Sequence, residues 1–287
     1  MTNPFDPVVV GTDGSEVAAR AVTWAGDEAA HRNRPLRIVH AVEPWAPASP
    51  MLPPAVPPAA LCEAGRRILA AAHRAARERH PSLEVTSELL VRSPGAALRE
   101  QAEGAFEVVV GHRGKGGFAS LLLGSTGLHL AGHVPGPVVI VRGEPAWAGG
   151  DVIVGVGPAT VDEAVLDHAF EAAALRRARL RVVHGWRLPM ITDTGYPIDM
   201  RDAEDTVRWE LHRATAAQRK LHPGVEVVED VVRGHPVAAL AGMSHSGCLV
   251  VVGAHSCTGL GALRLGSVGH GIVHHAHCPV AVVRPRS

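Results

Sequence analysis

Gly111-His112-Arg113-Gly114-Lys115 and, after an eight-residue spacer, Gly124-Ser125-Thr126 have the composition of an anion cradle. Glycine has no Cβ, so it adopts positive φ readily and lets backbone amides come close to a phosphate. Gly124 and Ser125 fall where a helix should begin, which turns its first N–H groups and the positive end of its dipole outward. The Ser125 hydroxyl is a further donor or a cap, and His112, Arg113 and Lys115 bring polar and positive groups to the same loop. The spacing Gly111-x2-Gly114-x9-Gly124-Ser125 is not a Walker loop, because no G-x-x-x-x-G-K-[ST] occurs. Nor is it a dinucleotide fingerprint, because no G-x-G-x-x-G follows the first strand. The competing reading is a pair of ordinary glycine turns and a capping serine.

A second polar turn, Gly11-Thr12-Asp13-Gly14-Ser15, puts a carboxylate beside a glycine. Asp13 has two readings of equal standing. It accepts hydrogen bonds from a ribose or an adenine edge, or it closes the turn by bonding its own backbone.

Both loops need strands to position them. Short apolar runs rich in β-branched residues occur at about 7–11, 36–42, 84–91, 107–111 and 137–142, the composition of strands buried on both faces. Helical patterns alternate with them: Glu16 to His31 behind Ser15 as N-cap, Ala59 to His80, Pro94 to Gly104, and Thr126 to His133. Parallel strands need crossover connections, so this order predicts an open doubly wound α/β sandwich around a five-stranded, mainly parallel sheet. Ligands of such sheets sit beyond the carboxyl ends of the strands, where both loops fall. Glu43 to Pro58 carries seven prolines and reads as an extended surface loop.

The chain then repeats itself. Val8-Val9-Val10-Gly11 returns as Val152-Ile153-Val154-Gly155, and Leu36-Arg37-Ile38-Val39-His40 as Leu180-Arg181-Val182-Val183-His184, both displaced by 144 residues. Val108–Gly111 returns as Val250–Gly253 and Val138–Arg142 as Val280–Arg284, displaced by 142. A near-constant offset means duplication with small loop deletions. Two tandem sandwiches are therefore expected, at 1–145 and 150–287, joined by a linker at Gly143–Gly150.

Composition narrows the function. Twenty-eight basic residues balance 28 acidic ones in 287, so no overall field gathers nucleic acid or an anionic membrane. Aromatics at 3% are too few for base-stacking platforms. Four irregularly spaced cysteines, no leader pattern and no apolar run of about 18 residues point to a soluble, reduced, cytoplasmic protein. His270, His274, His275, His277 and Cys278 invite a metal reading, but no acidic partner or C-x-x-C knuckle accompanies them, and none is expected. Cys257 reads as an ordinary loop residue, and the arginine runs Arg66–Arg79 and Arg176–Arg181 as solvated helix faces. No G-x-S-x-G elbow supports hydrolase chemistry.

The residues Val9 to Ser15, Val39-His40-Ala41, the Gly111/Gly114/Gly124-Ser125 signature and the closing Gly136 to Val141 strand resemble the universal stress protein family. The resemblance spans nearly the whole chain as two copies, and the signature is that of the family's ATP-binding branch. It implies a tandem protein of stress or dormancy responses that binds ATP, with Mg²⁺ as a companion, and signals through binding rather than turnover. Homodimerisation and an unidentified protein partner are expected with it. Gly11, Asp13 and Ala41 would meet the adenosine; Gly111, Arg113, Gly114, Lys115, Gly124, Ser125 and Thr126 would hold the phosphates. In the second copy Gly253, Gly266 and Ser267 survive, but Gly157 replaces Asp13, Ser256 replaces Gly114 and Cys257 replaces Lys115. The second copy is expected to bind weakly or not at all. A scaffold that binds no nucleotide, and a slow ATPase using the same cleft, are the alternatives.

Overall fold

The computed structural model of the protein describes residues 5–43, 58–114, 124–143, 149–157, 162–186, 200–254 and 265–286. Most of the proline-rich stretch, the linker centre, Lys115, Ser256 and Cys257 lie outside the described residues. The chain divides into two units, Met1–Pro145 with Arg286–Ser287, and Ala146–Pro285.

The first unit runs β1 (Val8–Gly11), α1 (Glu16–His31), β2 (Leu36–Ala41), α2 (Pro58–Arg79), β3 (Val85–Leu90), α3 (Pro94–Ala102), β4 (Glu107–Gly111), α4 (Ser125–His133) and β5 (Val138–Val141). Its strands stand in the order β3-β2-β1-β4-β5, every pairing parallel. Strand order reverses between β1 and β4, so the carboxyl ends of those two strands flank the crevice where such sheets hold ligands. The central strands are fully buried valine runs, Val8 to Val10 and Val108 to Val110, as parallel strands covered on both faces must be. Ser15 caps α1 by accepting from the Ala18 amide at 3.2 Å. Pro94 opens α3, where a missing N–H costs nothing.

The second unit runs β6 (Asp151–Gly155), α5 (Glu163–Arg176), β7 (Leu180–Trp186), α6 (Met200–Leu221), β8 (Val227–Arg233), α7 (Pro236–Met243), β9 (Gly247–Gly253), α8 (Ser267–His275) and β10 (Val280–Val283). Its order, β8-β7-β6-β9-β10, repeats that of the first unit and is again parallel throughout. Phe170, Leu166, Leu180 and Leu249 are among its fully buried side chains. Cys248 and Cys278 are buried as well, and burial pushes the Cys278 thiol up to about 12.

Two expectations need correction. β3 is not buried on both faces: Thr86 and Ser87 are exposed, because the strand forms an edge of its sheet. The arginine run of the second unit is not a plain solvated face. Arg176 is 5% exposed, and Arg181 donates to both oxygens of Asp230 at 2.8 and 3.0 Å.

Candidate functional site

The β1–α1 turn is anchored from the neighbouring strand. The Thr12 amide donates to the Val39 carbonyl at 2.9 Å, and the His40 Nδ1–H donates to the Thr12 carbonyl at 2.7 Å. Within the turn, the Gly14 amide donates to the Thr12 hydroxyl at 3.2 Å and the Ser15 amide to Asp13 Oδ1 at 2.9 Å. The second bond is the local turn closure expected of aspartate. Gly14 has φ +73°, where an L side chain is strained, and a Cβ there would sit 3.0 Å from Ile68 of α2.

Asp13 does more than close its turn. Its Oδ2 lies 2.7 Å from the point where a Cβ on Gly114 would stand. The loops that follow β1 and β4 therefore meet, carboxylate against glycine, at the reversal of strand order. Continuing the β1–β2 register, in which Gly11 pairs with Val39, brings Ala41 level with Asp13.

The glycines of the signature serve close approach rather than unusual backbone angles, which corrects the expectation of positive φ at Gly111 and Gly114. Neither has one. A Cβ on Gly111 would meet Val17 Cγ1 at 2.7 Å, so that glycine seats the first turns of α1. Gly11 does the same for α3, since a Cβ there would meet Leu98 at 2.8 Å. Gly124 folds back on the loop: its amide donates to the His112 carbonyl at 2.7 Å, and it forms the N-cap of α4. A glycine cap has no side-chain acceptor to offer the first-turn amides. Ser125, first in α4, is exposed, and Thr126 half-buried.

The cations gather at the ends of β4 and β5. The His112 Nδ1–H donates to the Val141 carbonyl at 3.2 Å, which holds its ring beside β5. Burial pushes the His112 imidazole below its ordinary value, and the positive charges of Arg142, Arg113 and Arg20 push in the same direction. His112 is thus kept neutral in an electropositive corner, while the neighbouring Arg113 is exposed.

The second unit preserves the scaffold of this site and loses its polar centre. The His184 Nδ1–H donates to the Val156 carbonyl at 2.9 Å, as His40 does to Thr12. The Gly266 amide donates to the Ala254 carbonyl at 2.7 Å, as Gly124 does to His112. Gly253 ends β9, Gly266 caps α8 and Ser267 opens it. Among the described residues nothing lies within 4 Å of the Gly157 Cβ position, and the glycine itself offers no carboxylate in place of Asp13. The two anchoring histidines were missed as site-builders from sequence, although their shared 144-residue offset was a usable signal. Among the described residues no cluster of three or more histidine, cysteine or acidic side chains is arranged to hold a metal.

The model of the Universal stress protein family matches residues 4–142 and again 150–284. A universal stress protein of Mycobacterium tuberculosis is 33% identical over 285 residues, covering 96% of both chains. One from Mycolicibacterium smegmatis is 32% identical over 296 residues, covering 97% of each. Among solved structures, a universal stress protein from Archaeoglobus fulgidus aligns over 96% of this chain and 98% of its own with a TM-score of 0.69, at 15% identity. The repeated strand order, the matching anchors and these relatives lead to one statement: the chain belongs to the universal stress protein family and carries that family's domain twice.

Proposed function

We propose that the first unit binds an adenine nucleotide, ATP by preference, and that the protein acts in a stress or dormancy response through the bound state rather than through turnover. The observation that carries the reading is the meeting of the Asp13 carboxylate with Gly114 beside the glycine-capped start of α4. A carboxylate suits ribose hydroxyls or the adenine amino group, and helix-start amides suit phosphate. The donor set fits a nucleotide whose base end lies toward Asp13, Gly11 and Ala41. Its phosphates would then lie toward Gly111, Arg113, Gly114, Lys115, Gly124, Ser125 and Thr126. Mg²⁺ would arrive on the phosphates and keep most of its water, with Ser125 as the residue of the signature whose hydroxyl would help hold it. The second unit, with Gly157 for Asp13, contributes little binding through Gly253, Gly266 and Ser267.

Mass spectrometry of denatured, freshly purified protein should release an adenine nucleotide, and calorimetric titration should find about one strong site per chain. Asp13→Ala is expected to weaken ATP binding about tenfold or more, the scale of one lost charge-assisted hydrogen bond. A protein that stays empty at millimolar ATP overturns the reading in favour of a nucleotide-independent scaffold. Rapid phosphate release would favour the slow-ATPase alternative.

A further inference from the structure

On one face of the first unit, α1 and α2 enclose a cleft of about 560 Å³ that the nucleotide reading does not use. That volume is in the ordinary range for small-molecule sites. The cleft runs from Thr12 and Ser15 in the β1–α1 turn to His80 just past the end of α2. From Ala64 to Arg79 it follows α2 for fifteen residues, about 22 Å at helical rise. Its long walls are mostly alanine with Val22, Ile68 and Thr23, and Gly26 and Ala76 lie at the far end. That end is closed by a satisfied cluster: Arg79 donates to both oxygens of Asp27 at 2.6 and 2.9 Å, and His80 Nε2–H donates to the same carboxylate at 2.7 Å.

The duplication supplies an internal control. Gly26 corresponds to Phe170, His80 to His222 and Ala76 to Gln218. In the second unit Phe170 is fully buried with its ring 5.9 Å from that of His222, and Gln218 is buried and donates to Asp167 at 3.3 Å. The far end of the cleft, bordered by Gly26 and Ala76 in the first unit, holds the buried side chains of Phe170 and Gln218 in the second. The helix backbones there correspond: the amides of His80 and His222 donate to Ala76 and Gln218 at 3.0 and 2.8 Å. At that end of the cleft, Gly26 and Ala76 are small where the second copy has the larger Phe170 and Gln218.

Every ionisable group lining the cleft is basic: Arg67, Arg79 and His80. Asp27 already engages the last two. Arg67 stands at the mouth near Ser15, and its ion pair with Glu63 is exposed on both sides, 71% and 69%, the kind that costs little to exchange. An apolar channel with an exchangeable cation at its mouth complements a long-chain aliphatic carboxylate. From Arg67 to Arg79 the cleft follows α2 for twelve residues, about 18 Å, which an extended chain of about 16 carbons spans at about 1.2 Å per bond.

We infer that the α1–α2 cleft of the first unit binds a long-chain fatty carboxylate, its head at Arg67 and its tail running past Gly26 and Ala76 toward Arg79 and His80. The full-length protein, stripped of bound lipid, is titrated with cis-parinarate, a fluorescent long-chain carboxylate, and the probe is then displaced by palmitate or by hexadecanol. Saturable binding is expected, with palmitate displacing the probe about two- to fivefold more effectively than hexadecanol, the worth of one exposed charge pair. Gly26→Phe, which installs the plug of the second unit, should raise the probe's Kd at least tenfold, and Ala72→Leu, narrowing the channel midway, should do the same. Circular dichroism melts show which variants are folded, and ATP titration of both should be unchanged. Arg67→Gln should abolish the preference for palmitate over hexadecanol. No saturable probe binding, or equal binding by a folded Gly26→Phe or Ala72→Leu protein, overturns the assignment. Equal displacement by palmitate and hexadecanol overturns the carboxylate.

Discussion

The turn after β1 and the turn after β6 begin from the same anchor and end differently. In both, a histidine on the adjacent strand holds the carbonyl one residue before Asp13 or its replacement Gly157, at Thr12 and Val156 respectively. Beyond that point the first turn has Asp13 against Gly114 and enters its helix at Glu16, whereas the second has Gly157 and enters its helix at Glu163, the counterpart of Ala19. The second copy begins its helix at Glu163 behind the Asp162 cap and carries no carboxylate at position 157. Its Ser256, where the first copy has Gly114, then has a physical explanation. The glycine is required because a carboxylate lies 2.7 Å from the missing Cβ; once the carboxylate is gone, so is the requirement. The strand framework tolerates the loss because it is held by buried valines and backbone bonds, not by the turn.

The sharpest test of this contrast acts on packing. Phe170→Ala should destabilise the second unit by about 3–5 kcal/mol, the cost of emptying a buried aromatic site. Differential scanning calorimetry should show a lowered second-unit transition, while a Gly26→Ala change in the first unit, whose Cβ would have only ordinary contacts, stays near neutral. Next comes the paired substitution. Gly114→Ser alone should cost about 1–3 kcal/mol of overpacking against Asp13 and abolish nucleotide binding. Asp13→Gly combined with Gly114→Ser should recover the stability but not the binding, turning the first site into the second. A double mutant no more stable than Gly114→Ser breaks the argument that the two positions depend on each other.

The smallest effect is on pH dependence. His112 titrates below 6.5 in the folded chain, so the unfolded chain takes up that proton first. Its contribution is intact above 6.5 and is lost as pH falls through the lowered folded value. Melting followed from about pH 7.5 to about pH 5.5 should therefore show a steeper loss in the parent than in His112→Ala, which copies Ala254 of the second unit.

Much of the frame was legible. Runs such as Val8–Gly11 and Val108–Gly111 read as buried strands because β-branched residues in short blocks have few other homes, and Ser15 read as a cap because its side chain can reach the Ala18 amide. The edge position of β3 was not legible, since Val85–Leu90 looks locally like its buried neighbours and only strand order exposes Thr86 and Ser87. The signature glycines were noticed for the wrong property: spacing marks that a glycine is present, whereas the demand for it at Gly111 comes from Val17, nearly a hundred residues away in sequence. The cleft was invisible for the converse reason. Alanines along α2 look like ordinary helix formers, and their meaning appears only beside Phe170 and Gln218.

The buried thiols of the second unit set a limit on how oxidants act on the chain. Only the thiolate is an efficient nucleophile, and a Cys278 that ionises near 12 presents almost none of it at neutral pH. Burial and the scarcity of thiolate together put a barrier in front of peroxide and disulfide reagents at Cys278.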